Sequence, residues 1–335
     1  MSNRNLQYLW SLTPGVAVIT GNLLGGWWGA SNFIYSLGVL ALAELLVSAN
    51  HSNKNSEVSI FPTAILYLHI LLQVLALGSF FFAISHRYFH GWQYALVTIS
   101  VGVHSGSSAI VVAHELIHRK NSIHQLGGKF LLFTAGNIYF FVEHLRVHHK
   151  WVGTEKDPAT ARYGESVYGF FFRTTIGQIA DAMKMEKERL KNENKFSFGF
   201  SNYVISSMML LVVLTTLIYL FTGWQCALLF IAQCIIANFL LEYTNYIEHY
   251  GLARAENERV NETHSWQSDK PTSRFFLIDL SRHSDHHCYA SKPYHTLDSY
   301  ERSPVLPGGY VTAIYLALIP PLWFKVIHAR MKEQK

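Results

Sequence analysis

Residues 203–241 read YVISSMMLLVVLTTLIYLFTGWQCALLFIAQCIIANFLL: two apolar runs, 203–221 and 226–241, joined by the tight turn TGWQ and free of acidic, basic and histidine residues. Such a stretch has no polar face to turn to water, and each run approaches the ~20 residues that an α-helix needs to cross a bilayer. Backbone polar groups in hydrocarbon must be satisfied within the segment, which leaves the helix as its form. The pair is expected to be a membrane hairpin.

Working outward, similar runs occur at 9–28, with Pro14 inside it, and at 33–49, 60–84 and 92–113. The polar loop HSNKNSEVS (51–59) and the short links GASN and SHRYFHGW separate them. The run 130–142 is too short to span and reads as interfacial or re-entrant. A later run near 310–326 is interrupted by Pro320 and Pro321, which argue against a straight seventh span. Composition agrees: hydrophobic residues make up 50% of the chain and charged ones 15%, against roughly 25% charged in soluble domains. The start, MSNRNLQYLW, lacks the basic region and cleavage site of a signal peptide. Cys226, Cys234 and Cys288 form no CxxC pair, so neither a disulfide framework nor a cysteine metal site is expected. The expected architecture is all-α, an integral membrane bundle of six transmembrane helices in a single domain, 1–335, with a cap formed by 114–202 and 242–335. Six spans put both termini on one side. The loops of that side hold nearly all the Lys and Arg and the opposite loops only Arg87, so the positive-inside rule makes the cap cytoplasmic; the expected location is the cell inner membrane.

Histidines gather where the apolar runs end. His114 and His118 lie in HELIH, His144, His148 and His149 in EHLRVHH, His249 in NYIEHYG, and His283, His286 and His287 in RHSDHH. Imidazole is the commonest protein metal ligand. His114 and His118 share a helix face at i and i+4, as do His144 and His148, and His283 faces His286 and His287 at i+3 and i+4. Nine candidates exceed the three or four ligands of one zinc site and suit two metal ions better. Glu115, Glu143, Glu248 and Asp285 adjoin these histidines and are candidates to orient them. Asp157, in DPATAR, is a further one, although pairing with Arg162 or capping a turn is the simpler expectation. His69 and His104, inside spans, are read as buried hydrogen-bonded histidines instead of a tenth ligand. The basic segment 146–195 includes Arg146, Lys150, Lys156 and Arg162. It suits an acidic partner surface, and anionic lipid accounts for the same charges. An apolar tunnel for substrate is expected among the first four spans. Gly102, Ser105 and Gly106 could open it, but close helix packing is the simpler reading of such small residues. Trp27 and Trp28 suit an interfacial belt.

Four segments, HELIHRKN (114–121), EHLRVHHKWVGTEKDPATAR (143–162), NYIEHYGL (245–252) and SRHSDHH (281–287), resemble the histidine boxes of bacterial integral-membrane alkane 1-monooxygenases, within the wider membrane desaturase and hydroxylase superfamily. ARYGESVY (161–168), HSWQS (264–268) and LPGGYVTAIYLALIPPLWF (306–324) extend the likeness over about 100–327. The resemblance implies a centre of two iron ions held by the nine boxed histidines, which activates O2 and hydroxylates the terminal methyl of medium-chain n-alkanes. It also implies electrons from NAD(P)H through a reductase and rubredoxin. Without a CxxC pair the rubredoxin is expected to be a separate chain. Iron comes from the resemblance, because the ligand set alone would also suit zinc or copper. Leu145 and Val147 stand where many alkane hydroxylases have Asn and Gly, and Ser281 where Gln is common. Alkylbenzene methyl-monooxygenases and fatty-acyl hydroxylases or desaturases therefore stay open. From a different class, HELIH matches the zinc metalloprotease motif with Glu115 as general base, a reading that leaves most boxed histidines without a role. A histidine-rich transport protein would place ligands along a transmembrane path instead of on one face.

Overall fold

In the computed structural model, which describes residues 3–53 and 60–333, helices carry nearly all the regular structure. The only β feature among those residues is an isolated bridge between Gln267 and Val305. Five helices are long and apolar enough to cross a membrane: Gly26–Leu46, Phe61–Ser85, Gln93–Ile117, Tyr203–Thr222 and Trp224–His249. The chain is a multi-pass membrane protein. Residues 54–59 of the expected polar loop lie outside the described residues.

The expected first span, 9–28, is built differently. Its residues follow a helical path through Asn3–Gln7, Tyr8–Leu12 and Thr13–Leu24 that is not among the five. Buried polar side chains punctuate this path; Asn22, for example, donates to Ala76 O at 3.2 Å and Ser79 Oγ at 3.0 Å. It nevertheless runs the height of the bundle. Arg4 bonds Asp279 at 2.7 Å near the last histidine box, and at the other end Gly26 donates to Tyr88 O at 2.9 Å. Gly25 and Gly26 make the turn at φ 69° and 55°, and a Cβ on Gly25 would lie 2.9 Å from Tyr88 O. Trp27 and Trp28 thus open the second span instead of closing the first. With Trp92 and Trp224 they are exposed at the end away from the histidines, where Trp27 and Trp92 meet edge to face at 4.6 Å. Such an arrangement suits an interfacial belt.

The last span outruns its apolar stretch. Beyond Leu241 the Trp224–His249 helix continues through Glu242, Asn245 and Glu248 to His249, all buried in protein. Gly102 and Gly106 are points of helix contact: a Cβ would lie 2.7 Å from Ile236 Cβ and 2.9 Å from Leu240 Cβ respectively. The late apolar run divides into Tyr310–Ala317 and Pro320–Glu333, the second opening on its two prolines.

The run 130–142 turns back inside the bundle. Ser122–Thr134 descends, residues 135–139 turn, and a new helix starts at Phe140. Irregular backbone is tolerated at membrane depth only where protein groups satisfy it. Here Gln73 donates to Thr134 Oγ1 at 3.2 Å, Gln233 to Thr134 O at 3.3 Å and Asn238 to Ala135 O at 2.9 Å. Asn137 Oδ1 accepts from the N–H groups of Tyr139 and Phe140, capping the ascending helix. Gly136 sits at φ 69° with Cys234 where its Cβ would be, 2.7 Å away. Gly136→Ala combines a left-handed backbone with an overlap. It is expected to destabilise the chain by about 1–3 kcal/mol, read as a lower unfolding midpoint in detergent. An unchanged midpoint would show that the turn is not tightly seated.

Candidate metal centre

The four boxes converge at one end of the bundle. The Gln93–Ile117 helix delivers HELIH, the ascending arm from Phe140 delivers EHLRVHH, the end of Trp224–His249 delivers His249, and the short His283–Cys288 helix delivers the last box. All nine imidazoles come together, and they divide into two groups. His114, His118, His144, His149 and His286 form one; His148, His249, His283 and His287 form the other. Within each group the candidate ligand atoms all lie within 4.8 Å of one another.

That division differs from the face-sharing expected of the boxes. In a regular α-helix His144 and His148 would point the same way, with His149 about 100° further round. Residues His144–His148 instead form a π-helical turn, which widens the ring by one residue. His149 comes back toward His144, their Nε2 atoms 3.0 Å apart, while His148 joins the other group. The last box splits as well. His283 and His287, at i and i+4, bring their Nε2 atoms within 2.9 Å, and His286 crosses to lie 3.2 Å from His149 Nε2. A second π turn, Ser105–Ile110, precedes HELIH.

The donor set fits metal ions. A neutral imidazole has a single N–H, yet Nε2 atoms close on one another at 2.6 Å (His114–His144), 3.0 Å (His144–His118) and 3.2 Å (His149–His118). Nitrogens held about 2.1 Å from a shared ion lie about 3.0–3.4 Å apart. In the second group the buried Nε2 atoms of His148 and His249 have no hydrogen-bond partner among the described residues. Burial, reinforced by neighbouring rings, pushes His118, His144, His149, His283, His286 and His287 well below the usual histidine range. The rings are therefore neutral near pH 7, the form that ligates metal.

The five carboxylates take different parts. Asp157 is buried and accepts from His148 Nδ1 at 2.9 Å, leaving that ring's Nε2 lone pair for the group. It also caps its own turn through Ala159 N–H and the Thr160 hydroxyl, and it turns to His148 instead of Arg162, which is exposed. Burial opposes the charge on Asp157, but His148 and Thr160 outweigh it and hold the carboxyl below its usual range. Glu248 Oε2 lies 3.1 Å from His283 Nε2, and its other oxygen accepts from Tyr310 at 2.5 Å. Asp285 reaches no imidazole; it takes Lys292 at 2.6 Å and the Tyr300 hydroxyl and Asp298 N–H at 2.7 Å, fastening that loop to the box. Glu115 is held by Arg119 at 2.5 Å, which removes it from the general-base position of a metalloprotease. Glu143 is buried with neither oxygen partnered among the described residues, and burial together with Asp157 and Glu242 pushes it well above the usual range.

A mostly apolar cavity opens on the centre. His114, His144 and His283 line it, with Phe140, whose ring stacks on His144 at 4.4 Å. Leu37, Leu40, Val103, Leu241 and Ile314 line its length. It is lined by the N-terminal stretch (Ser11, Pro14), by the Gly26–Leu46, Gln93–Ile117 and Trp224–His249 helices and by residues 272–314, so the expected path among the first four spans extends into the C-terminal half.

The family model described as fatty acid desaturase matches residues 90–317. Alkane 1-monooxygenase 2 of Alcanivorax borkumensis is 34% identical over 319 residues, 91% of this chain and 83% of the relative. The chain belongs to the alkane 1-monooxygenase family. An alkane 1-monooxygenase of Pseudomonas putida is 31% identical, over 96% of this chain and 83% of its own length. The xylene/toluene monooxygenase hydroxylase component XylM of the same species is 27% identical over 92% of this chain and 84% of that protein. Alkane 1-monooxygenases are membrane di-iron hydroxylases, and the two imidazole groups suit that class of metal site.

Sequence reasoning overlooked Glu44 and Tyr310. A lone carboxylate inside an apolar span is itself a functional signal, and Glu44 is one. Its buried carboxylate accepts from Thr312 N–H at 2.8 Å, the Thr312 hydroxyl at 2.9 Å and the Ser273 hydroxyl. The contact holds LPGGY against the second span, so that Tyr310 reaches Glu248. Arg146 and Lys150 are exposed beside His149, and the ammonium groups of Lys150 and Lys156 lie 4.8 and 4.5 Å from the Trp151 ring. His69 bonds two serines, whereas both ring nitrogens of His104 are unpartnered among the described residues, contrary to the hydrogen-bonded state expected of it.

Proposed function

We propose that this chain hydroxylates the terminal methyl of medium-chain n-alkanes to primary alcohols with O2, as a single domain, 1–335, of the cell inner membrane with its centre on the cytoplasmic side. The cavity carries this reading, because it is a mostly apolar space lined also by imidazoles from both groups. His114, His118, His144, His149 and His286 would hold one iron and His148, His249, His283 and His287 the other. When bound, the irons supply the oxidising power that cleavage of an unactivated C–H bond needs and that redox-inactive zinc lacks.

The protein's own groups do the rest. Apolar walls exclude water and bring a methyl group to His114, His144 and His283, with the Phe140 ring closing one side. Asp157 fixes His148, and Tyr310 orients Glu248 beside His283. His118 and His149 are the two half-buried ligand candidates. They mark the side from which electrons arrive, and Arg146, Lys150, Lys156 and Arg162 there suit an acidic carrier such as a separate rubredoxin, reduced by NAD(P)H through its reductase. The likeness to XylM supports a second reading, hydroxylation of an alkylbenzene methyl.

Cells producing this chain with a rubredoxin and its reductase, fed octane and an alkylbenzene under ¹⁸O2, separate the two. Labelled 1-octanol is the expected product. Labelled benzylic alcohol alone would move the chain to the methylarene branch, and absence of label from both would overturn the assignment.

A further inference from the structure

The cavity has a polar spot away from the histidines. Ser11 and Ser108 both line it. Between them lies buried His69, its Nε2 2.8 Å from Ser11 Oγ and its Nδ1 2.7 Å from Ser108 Oγ. One carbonyl settles the proton positions. Ser11 Oγ is 2.6 Å from Tyr8 O, and a carbonyl only accepts, so the Ser11 proton points there. Ser11 therefore accepts from His69 Nε2–H. A cationic ring at this depth would have to be desolvated without a counter-ion, so the ring is neutral with its lone pair on Nδ1, and Ser108 donates to it. Ser108 Oγ is left facing the cavity with lone pairs and no proton.

Other hydroxyls of the lining are committed in the same way. Ser36 donates to Asn32 Oδ1 at 2.8 Å, Ser107 to Val103 O at 2.7 Å, Thr244 to Leu240 O at 2.9 Å and Tyr243 to Tyr310 O at 2.8 Å. These walls accept hydrogen bonds and offer no hydroxyl proton. Ser108 precedes His114 by six residues, a rise of roughly 9 Å along the helix.

We propose that Ser108 and Ser11 form a subsite for the hydroxyl of an aliphatic primary alcohol, which donates to Ser108 Oγ while the far methyl of its chain reaches His114, His144 and His283. Ligand class follows from proton count. An alkanol brings the donor that the site lacks. An ether, ester or carboxylate brings only acceptors and sets lone pairs against lone pairs, a mismatch that forfeits the hydrogen bond. The consequence for turnover rests on the hydroxylase reading above. A bound alkanol of fitting length is hydroxylated at its other end, HO–(CH2)n–CH3 + O2 + two electrons + two protons giving HO–(CH2)n–CH2–OH + H2O, with the electrons from the same carrier.

The test measures binding of 1-octanol, its methyl ether and octane to the purified full-length protein by calorimetry in detergent, followed by analysis for diol. 1-Octanol is expected to bind roughly fivefold tighter than the ether, the value of one neutral hydrogen bond. Ser108→Ala loses that preference, and Ser108→Thr, which keeps the hydroxyl, retains it. Equal binding of alcohol and ether by the wild type overturns the subsite even if Ser108→Ala fails to fold, and so does a Ser108→Ala chain that keeps the preference. Octane hydroxylation without an alcohol preference retires the subsite alone. An alcohol preference in a chain that hydroxylates nothing retires the hydroxylase reading and leaves the subsite standing.

Discussion

A His286→Ala chain is expected to reach the membrane folded and to make no hydroxylated product. His286 is the one residue of the last box that crosses to the five-imidazole group, its Nε2 3.2 Å from His149 Nε2 and its ring 4.4 Å from that of His114. The side chain is buried, so alanine leaves a small void and no charged group unpaired. Its Nδ1 has no partner among the described residues, so little of the fold depends on it. Loss of partners behind a ligand typically costs 10–100-fold in metal affinity, and loss of the ligand itself is expected to cost more. Helical content should be unchanged, metal content should fall from two ions toward one, and product should disappear. Retained turnover with two ions bound would remove His286 from the ligand set.

Asp157→Ala should weaken metal binding by about 10–100-fold, measured by competition with a chelator. Without the carboxylate, His148 Nδ1 loses its acceptor at 2.9 Å, and the ring is free to turn or to put its proton on Nε2, where the ligand lone pair is needed. Asp157→Asn keeps an acceptor oxygen and should lose less. Arg162→Ala provides the contrast: if Asp157 served only a surface ion pair, the Asp157→Ala and Arg162→Ala variants would behave alike. They are expected to differ, with Arg162→Ala leaving metal affinity unchanged.

The helices were legible wherever long apolar runs stood between polar loops, as in 203–241, and the centre because histidines at helical spacing closed those runs. What escaped depends on contacts between distant residues. No local pattern announces the π turn at His144–His148, which sends His148 and His149 to different groups. The make-up of the first stretch was not legible, because Pro14 and its apolar neighbours suggest an ordinary span, whereas Asn5, Ser11 and Asn22 face inward along a helix interrupted by a 3₁₀ segment. Carboxylates beside a ligand in sequence proved a weak guide: Glu115 and Asp285 bond elsewhere, and Asp157, eight residues beyond His149, reaches His148. Glu44 was readable as a lone acid in an apolar span, but its tie to Thr312 needed the fold.

The central claim is that nine imidazoles hold two redox-active ions. Metal analysis of the purified full-length protein, with iron and zinc counted per chain, tests it most directly. Two irons per chain are expected; a single ion per chain, or zinc alone in a preparation grown with ample iron, would contradict it.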